Sequence, residues 1–230
     1  MNPWWRKMPA QNRLKSCACP QMLFASWILA SSLSAQDGAI DDSFVPNTNL
    51  GFVQGICLQP DARVLATGGP GGILRLHANG TLDTTFASNP GANSAVDALA
   101  LQPDSRVVIA GAFTTYGGVP RGRIARLEST GALDSTFAPS VGANGRVTCV
   151  ALQPDGRLVI GGEFTAYNGT ARSRVARVNA NGSLDPTFNP GSGAWGDVAC
   201  VSVLNDGRIL IAGSFVVYNG IVRQRIVRTM

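Results

Sequence analysis

Four aspartates recur along the chain at nearly constant spacing, and they are the first residues whose type and pattern suggest chemistry. They are Asp61, Asp104, Asp155 and Asp206, separated by 43, 51 and 51 residues. A ring of carboxylates could hold a metal ion or take part in acid–base catalysis. Each one, however, lies in its own turn sequence of the PDGR type, and one substrate needs one constellation of groups and not four equal copies. We therefore assign these aspartates a structural role and predict no metal site from them.

A second repeated set of side chains combines acidic, basic and aromatic residues. An aspartate is the second residue of the motifs IDDSF, LDTTF, LDSTF and LDPTF. Tyrosines and sets of three arginines recur between these motifs, and they are Tyr116, Tyr167 and Tyr218, and Arg121, Arg123 and Arg126, Arg172, Arg174 and Arg177, and Arg223, Arg225 and Arg228. The arginines could form a basic stripe and the tyrosines a platform for sugars. Because both sets repeat, we expect buried Arg–Asp pairing between blades and packing of the tyrosines at the blade edges, with their hydroxyls satisfied locally.

Residues that break the repeat are better candidates for a binding site. Glu163 stands where the other complete copies have Ala112 and Ser214. The segments that lead into the second, third and fourth copies carry four further polar or aromatic residues that do not repeat, namely Asp97, Arg146, Trp195 and Asp197. Repeat proteins bind ligands where such loops converge, so Glu163 and these four residues are the predicted ligand site.

The sequence offers little for catalysis. The lone histidine, His77, occupies the variable position that corresponds to Glu128 and Asn179, and we expect it to lie at the surface. GxSxG, HExxH, P-loop, dinucleotide-binding and EF-hand patterns are absent from the sequence. We predict no catalytic residue and no cofactor.

The elements that position these residues are short strands joined by turns. In the third copy, RVTCVALQ alternates along one strand, Pro154, Asp155 and Gly156 form a tight turn, and RLVIGGEF returns as an apolar strand. SRVARV is a third strand and SLDPTF a short fourth element. Four antiparallel strands in about 51 residues is the size of a propeller blade, and nothing after the leader has helical periodicity.

The repeat therefore predicts an all-β, β-propeller-like fold of about four blades. The copies span residues 45–86, 87–137, 138–188 and 189–230, and the first is degenerate because it lacks the FxxYxG segment and its leading arginines. The last copy stops before its own LDxxF motif, whereas an unattached IDDSF lies at Ile40–Phe44. Propellers close by sharing one blade between the chain ends, so this segment is expected to complete blade four. The alternative is a fragment of a longer array.

The motifs LQPDGR, GGEF, YNG, RSRVAR and NGSLDPTF resemble the delta-60 repeat family of tandem bacterial β-propeller-like repeats. The resemblance covers residues 40–230 and involves five landmarks that recur in order. It implies an exported propeller-type protein and no assigned activity.

The amino-terminal residues 1–35 have the layout of a cleavable signal peptide. A basic stretch precedes the apolar run Met22–Leu33, and small residues follow at Ser34 and Ala35, where cleavage is expected. Residues 36–230 then form the repeat domain. They contain fifteen arginines and fourteen acidic residues, a net charge of +1, which gives no general attraction to nucleic acid. No later segment approaches the length of a membrane span.

Three cysteines, Cys57, Cys149 and Cys200, follow the leader. They are expected to be small buried residues, or one disulfide and a spare thiol. Taken together, the sequence predicts a secreted, periplasmic or surface protein that acts as a non-enzymatic binding or structural module for an unknown protein or glycan. A propeller enzyme, a hydrolase or lyase acting on an extracellular glycan or lactone, is the alternative.

Overall fold

The computed structural model of the chain describes residues 38–48, 51–68, 72–86 and 90–230. The predicted signal peptide, residues 1–35, lies outside these ranges. Every regular element in the described residues is a β-strand, so the predicted all-β fold is confirmed. No helix in this part of the chain has the length and apolar character needed to cross a membrane.

Nineteen strands form in the described residues. They are β1 (Val53–Leu58), β2 (Val64–Gly68), β3 (Ile73–Leu76), β4 (Val96–Leu101), β5 (Val107–Gly111), β6 (Thr115–Tyr116), β7 (Val119–Pro120), β8 (Ile124–Leu127), β9 (Val147–Leu152), β10 (Leu158–Gly162), β11 (Ala166–Tyr167), β12 (Thr170–Ala171), β13 (Val175–Val178), β14 (Ala194–Trp195), β15 (Val198–Val203), β16 (Ile209–Gly213), β17 (Val217–Tyr218), β18 (Ile221–Val222) and β19 (Ile226–Thr229).

Each copy of the repeat folds into one antiparallel sheet of three main strands, which we call a blade. The strand orders are β1-β2-β3, β4-β5-β8, β9-β10-β13 and β15-β16-β19 for blades one to four. The fourth predicted element adds a single bridge to the third strand in the first three blades, as Leu133 does opposite Leu127. Blades two, three and four also carry a short hairpin between their second and third strands, built by β6–β7, β11–β12 and β17–β18.

The blades are arranged side by side with their first strands closest together. β1 packs against β4, β4 against β9, and β9 against β15, whereas the third strands of neighbouring blades share no comparable packing. The first strands are therefore the inner strands of a propeller-like arc. The inner strands begin at one end of the blades, which we call the upper face, and the PDGR-type turns lie at the opposite end.

The hydrophobic core lies between the blades and not within one of them. Three separate clusters fill the three spaces between consecutive blades. In the middle space, Ile124 and Phe137 of blade two pack against Val147 and Ile160 of blade three, and all four side chains are fully buried. Cys57 and Cys149 are buried within inner strands, and Cys200 is partly buried.

The two ends of the arc do not meet. The inner strands β1 and β15 share none of the packing that joins the other inner strands. Ile56 and Leu58 of blade one are both 65% exposed, and Ile226 of blade four is 58% exposed. The segment Ile40–Phe44 leads directly into a contact with blade one, where the backbone amide of Val45 donates to the carbonyl of Asn79. The expected completion of blade four by its own chain is not seen in this structure.

Candidate functional site

The four aspartates of the PDGR-type turns stabilise those turns locally. Each carboxylate accepts a hydrogen bond from the backbone amide of the arginine two residues later, at 3.0–3.2 Å. The same arginine side chains lie against the carboxylates, and the pairs are Arg63–Asp61, Arg106–Asp104, Arg157–Asp155 and Arg208–Asp206. Amide and guanidinium groups therefore engage each carboxylate within its own turn.

The aspartates of the LDxxF motifs lie deeper and bind more donors. Asp134 accepts hydrogen bonds from the Nε of Arg126 at 2.6 Å and from both the amide and the hydroxyl of Thr136. The Arg126 guanidinium lies 5.2 Å above the ring of Phe137 and also donates to the carbonyl of Ala180 in the next blade. This cluster therefore connects a turn, a strand and the neighbouring blade.

The same cluster forms in blades one and three. Arg75 binds Asp83 there, and Arg177 binds Asp185, with Phe86 and Phe188 beneath the two guanidinium groups. Burial alone would raise the pKa of Asp83, but hydrogen bonds from Thr85 and Arg75 outweigh it and lower the pKa to about 2. The same balance lowers the pKa of Asp134 to about 2. These carboxylates stay ionised at neutral pH, which suits a structural ion pair and not a general acid.

The tyrosines of the hairpins are buried and turned away from solvent. The hydroxyl of Tyr116 donates to the carbonyl of Gly131 at 3.0 Å, and that of Tyr167 donates to the carbonyl of Gly182 at 2.7 Å. Burial raises the pKa of Tyr116 to about 12. These rings are therefore not exposed for stacking on sugars.

The upper face collects all five predicted ligand-site residues. Arg146, just before β9, forms a two-point hydrogen bond with Asp97 of the preceding blade, at 2.6 Å from Nε and 2.5 Å from Nη2. The hydrogen bond from Arg146 to Asp97, aided by the charge of Glu163, raises the pKa of Arg146. Asp97 is almost completely buried, whereas the Arg146 side chain is 40% exposed and presents a charged edge to solvent.

The backbone explains why Asp97 and Arg146 meet. Asp97 is the extra residue of a bulge, because Val96 pairs with Gly111 and Ala98 pairs with Ala110. Gly162 allows the strand β10 to approach Arg146 closely, since a Cβ atom at this position would lie 2.1 Å from the Arg146 carbonyl. A bulge re-aims side chains at the end of a strand, and here it directs a carboxylate across the gap between two blades.

The fourth blade adds a second charged pair and an exposed aromatic ring. Arg174 of blade three lies 3.3 Å from Asp197, whose backbone amide donates a hydrogen bond to the Ser214 hydroxyl, at 3.0 Å. Trp195, two residues before Asp197, is 62% exposed. Arg174 was not predicted as a site residue, because it belongs to the repeated RxR motif. Its equivalent, Arg123, donates to the carbonyl of Ala143 in the same way as Arg174 donates to that of Ala194.

A polar groove and the single histidine lie outside the predicted ligand site. A groove of about 450 Å³ between the turns of blades one and two is lined by polar groups that include Gln59, Asp61, Arg63 and Asp104. His77 is 43% exposed at its side chain and lies 3.9 Å from Asp83. No group of three or more His, Cys, Asp or Glu side chains in the described residues is arranged to hold a metal ion. The groove lacks the apolar lining that is typical of enclosed ligand sites.

Comparison with known families identifies the repeat. The profile of the family described as "Domain of unknown function (DUF5122) beta-propeller" matches residues 59–86, 102–137, 153–188 and 204–230, which together exceed half of the chain. The chain belongs to this family. Each DUF5122 match runs from the PDGR-type turn toward the LDxxF motif, so each of the four matches begins directly after the inner strand of one blade. No relative was found among curated protein sequences.

A solved propeller domain shares the fold of this DUF5122 protein, and two further solved structures resemble it less closely. The WD40 β-propeller domain of Doa1 superposes with a TM-score of 0.51 at 21% identity, over 70% of this chain and 48% of that one. A protein of unknown function from Bacteroides caccae gives 0.46 at 15% identity, over 70% and 53%. An inactive variant of virginiamycin B lyase from Staphylococcus aureus with quinupristin gives 0.47 at 16%, over 80% and 57%. The chain thus spans about half the length of these structures.

Proposed function

We propose that this DUF5122 chain is an exported, non-enzymatic binding module whose ligand is an extracellular glycan held at the upper face. The observation that carries the proposal is the concentration of unrepeated polar and aromatic side chains at one end of blades two to four. Trp195 supplies an exposed ring, the Arg146–Asp97 pair joins blades two and three, and the Arg174–Asp197 pair joins blades three and four. An exposed indole stacks on sugar rings, and fixed planar charge pairs bind hydroxyl groups.

The repeated residues support a binding role by elimination. The repeated aspartates bind arginines that are buried or lie in the same turn. In blades two and three, the tyrosine hydroxyls donate hydrogen bonds to backbone carbonyls. These groups maintain the blades. Export is supported by the leader-like sequence of residues 1–35 and by the resemblance to the delta-60 repeats.

The first test expresses the 230-residue chain in a bacterial host and measures the mass of the exported product. Cleavage after residue 34 or 35 is expected, and an uncleaved chain retained in the cytoplasm would contradict export. The product is then screened on an array of extracellular polysaccharides. After cleavage, Trp195 is the single tryptophan, so its fluorescence reports directly on occupancy of the upper face.

Two variants locate the site. Trp195→Ala is expected to weaken glycan binding roughly tenfold or more, because an aromatic anchor contributes on the order of 2 kcal/mol. The matched control is Val119→Ala, which truncates an exposed apolar side chain of the blade two hairpin and should leave binding unchanged. Equal affinity of both variants and the parent would contradict the upper-face site. Turnover of a bound glycan would contradict the non-enzymatic role.

A further inference from the structure

The segment before blade one is a preformed copy of the motif that blade four lacks. Its sequence, GAIDDSF over residues 38–44, corresponds to GALDSTF over residues 131–137. Gly38 has a φ of 85°, and the matching Gly131 has a φ of 86°. The carboxylate of Asp41 accepts hydrogen bonds from the amide and the hydroxyl of Ser43, as Asp134 does from Thr136.

This segment lacks the partners that complete the other copies. Asp134 also receives the guanidinium of Arg126, whereas Asp41 is exposed and forms no ion pair with any described residue. Phe137 is fully buried beneath its arginine, but the matching Phe44 remains partly exposed. The turn of residues 38–44 is therefore folded, but the arginine and the apolar surface that surround the equivalent turns are missing around it.

Blade four has the complementary deficit. Arg228 occupies the position of Arg126 and Arg177 but is exposed, and its side chain donates no hydrogen bond to a described residue. The Tyr218 hydroxyl is buried and has no hydrogen-bond partner among the described residues, whereas Tyr116 and Tyr167 donate to the carbonyls of Gly131 and Gly182. A buried hydroxyl without a partner is energetically unfavourable, so an acceptor placed beside the Tyr218 hydroxyl would stabilise blade four.

The apolar surfaces at the two ends also match. Each inner space is lined on one side by residues at the positions of Cys149, Val159 and Val175, which in blade four are Cys200, Leu210 and Ile226. Its other side is lined by residues at the positions of Val198, Val201 and Ile209, which in blade one are Val53, Ile56 and Val64. The two exposed end surfaces are thus the two halves of one more space between blades.

We propose that a second copy of this chain occupies these surfaces, so that residues 38–44 of each copy complete blade four of the other. Arg228 of one copy then binds Asp41 and covers Phe44 of the second copy, and Tyr218 donates to the carbonyl of Gly38. Within one chain this segment does not reach blade four, because residues 38–48 rest on blade one and the inner strands β1 and β15 do not pack together.

Two copies related by a twofold axis close a ring of eight blades. A head-to-tail contact either closes or continues as a filament, and eight blades lie within the range of closed propellers.

The test measures the mass of the purified chain in solution by light scattering. Twice the chain mass is expected at micromolar concentration. Asp41→Asn and Arg228→Gln should each weaken self-association roughly tenfold to a hundredfold, because each removes a charge-assisted hydrogen bond. Asp42→Asn is the matched control, since Asp42 stands at a variable position of the motif and should leave the dimer intact.

Mixing the two variants separates a dimer from closure within one chain. A mixed pair keeps one intact Asp41–Arg228 contact, so Asp41→Asn and Arg228→Gln chains carrying different tags should associate more tightly with each other than with themselves. A monomer at micromolar concentration, or the absence of mixed pairs, would overturn the proposal. Open assemblies larger than a dimer would overturn the closed ring.

Discussion

The inner blades, two and three, share one sequence pattern with the end blades, one and four. The two groups differ in how far neighbouring blades bury their strands. All five residues of β5 and of β10 are buried, whereas β16, at the same position in blade four, has three partly exposed residues. The third strand is fully buried in blade two and largely exposed in blade four. A blade therefore has no complete core of its own, and its stability depends on the neighbours on both sides.

The largest expected difference between inner and end blades concerns one isoleucine position. Ile124 in blade two is fully buried, and Ile226 in blade four is 58% exposed at the same place in the repeat. Ile124→Ala should lower the free energy of unfolding by about 2–5 kcal/mol, because it creates a cavity between two blades. Ile226→Ala should change it by about 0.5 kcal/mol or less.

Both substitutions are compared by urea unfolding in an Arg228→Gln background, so that self-association does not cover Ile226. Equal losses at the two positions would mean that blade four is covered within a single chain. A larger loss for Ile226→Ala when Arg228 is restored would sharpen the comparison, since it would show that a second copy buries this side chain.

The next difference compares two aspartates of blade two. The Asp134 side chain is 1% exposed and binds Arg126, whereas the Asp104 side chain is 55% exposed in its turn. Asp134→Asn should cost about 3 kcal/mol, because it leaves a buried guanidinium without its counter-ion. Asp104→Asn should cost less than about 1 kcal/mol.

Acid titration tests the ion pair between Arg126 and Asp134. The pKa of Asp134 falls from its ordinary 3.8 to about 2 in the folded chain, so its contribution to stability is present above pH 4 and disappears as the pH drops toward 2. Asp83 adds a loss in the same range. Asp134→Asn should therefore flatten the decline in thermal stability between pH 4 and 2. An unchanged pH profile in this variant would show that the Arg126–Asp134 pair contributes little.

The repeat made most of the fold predictable from the sequence. The strands of the third copy appear where RVTCVALQ, RLVIGGEF and SRVARV were expected, because alternation and turn residues are local signals. The repeat arginines also pair with LDxxF aspartates as expected. Each arginine, however, binds the aspartate eight residues later in its own blade and not one in a neighbouring blade. What repeats in every copy can be recognised without knowledge of the neighbouring blade.

The contacts between blades were harder to predict from the sequence. Arg146 and Asp97 are separated by 49 residues, and their meeting depends on a bulge that neither residue encodes by itself. The upper-face grouping could be proposed because both residues break the repeat, but their mutual hydrogen bonds could not. The open ends of the arc were also not predictable, since ring closure depends on the angle between blades and not on any one motif.

The smallest expected difference compares two tyrosine hydroxyls. Tyr167 donates to the carbonyl of Gly182, so Tyr167→Phe should cost about 1–2 kcal/mol by leaving a buried carbonyl without its donor. Tyr218 is also buried but its hydroxyl has no acceptor among the described residues, so in the Arg228→Gln background Tyr218→Phe should be neutral or slightly stabilising. Thermal unfolding of the two variants measures the contrast. A loss for Tyr218→Phe that appears only when Arg228 is present and the chain is concentrated would show that this hydroxyl finds its acceptor in a second copy, whereas equal losses in every condition would show that blade four is already complete.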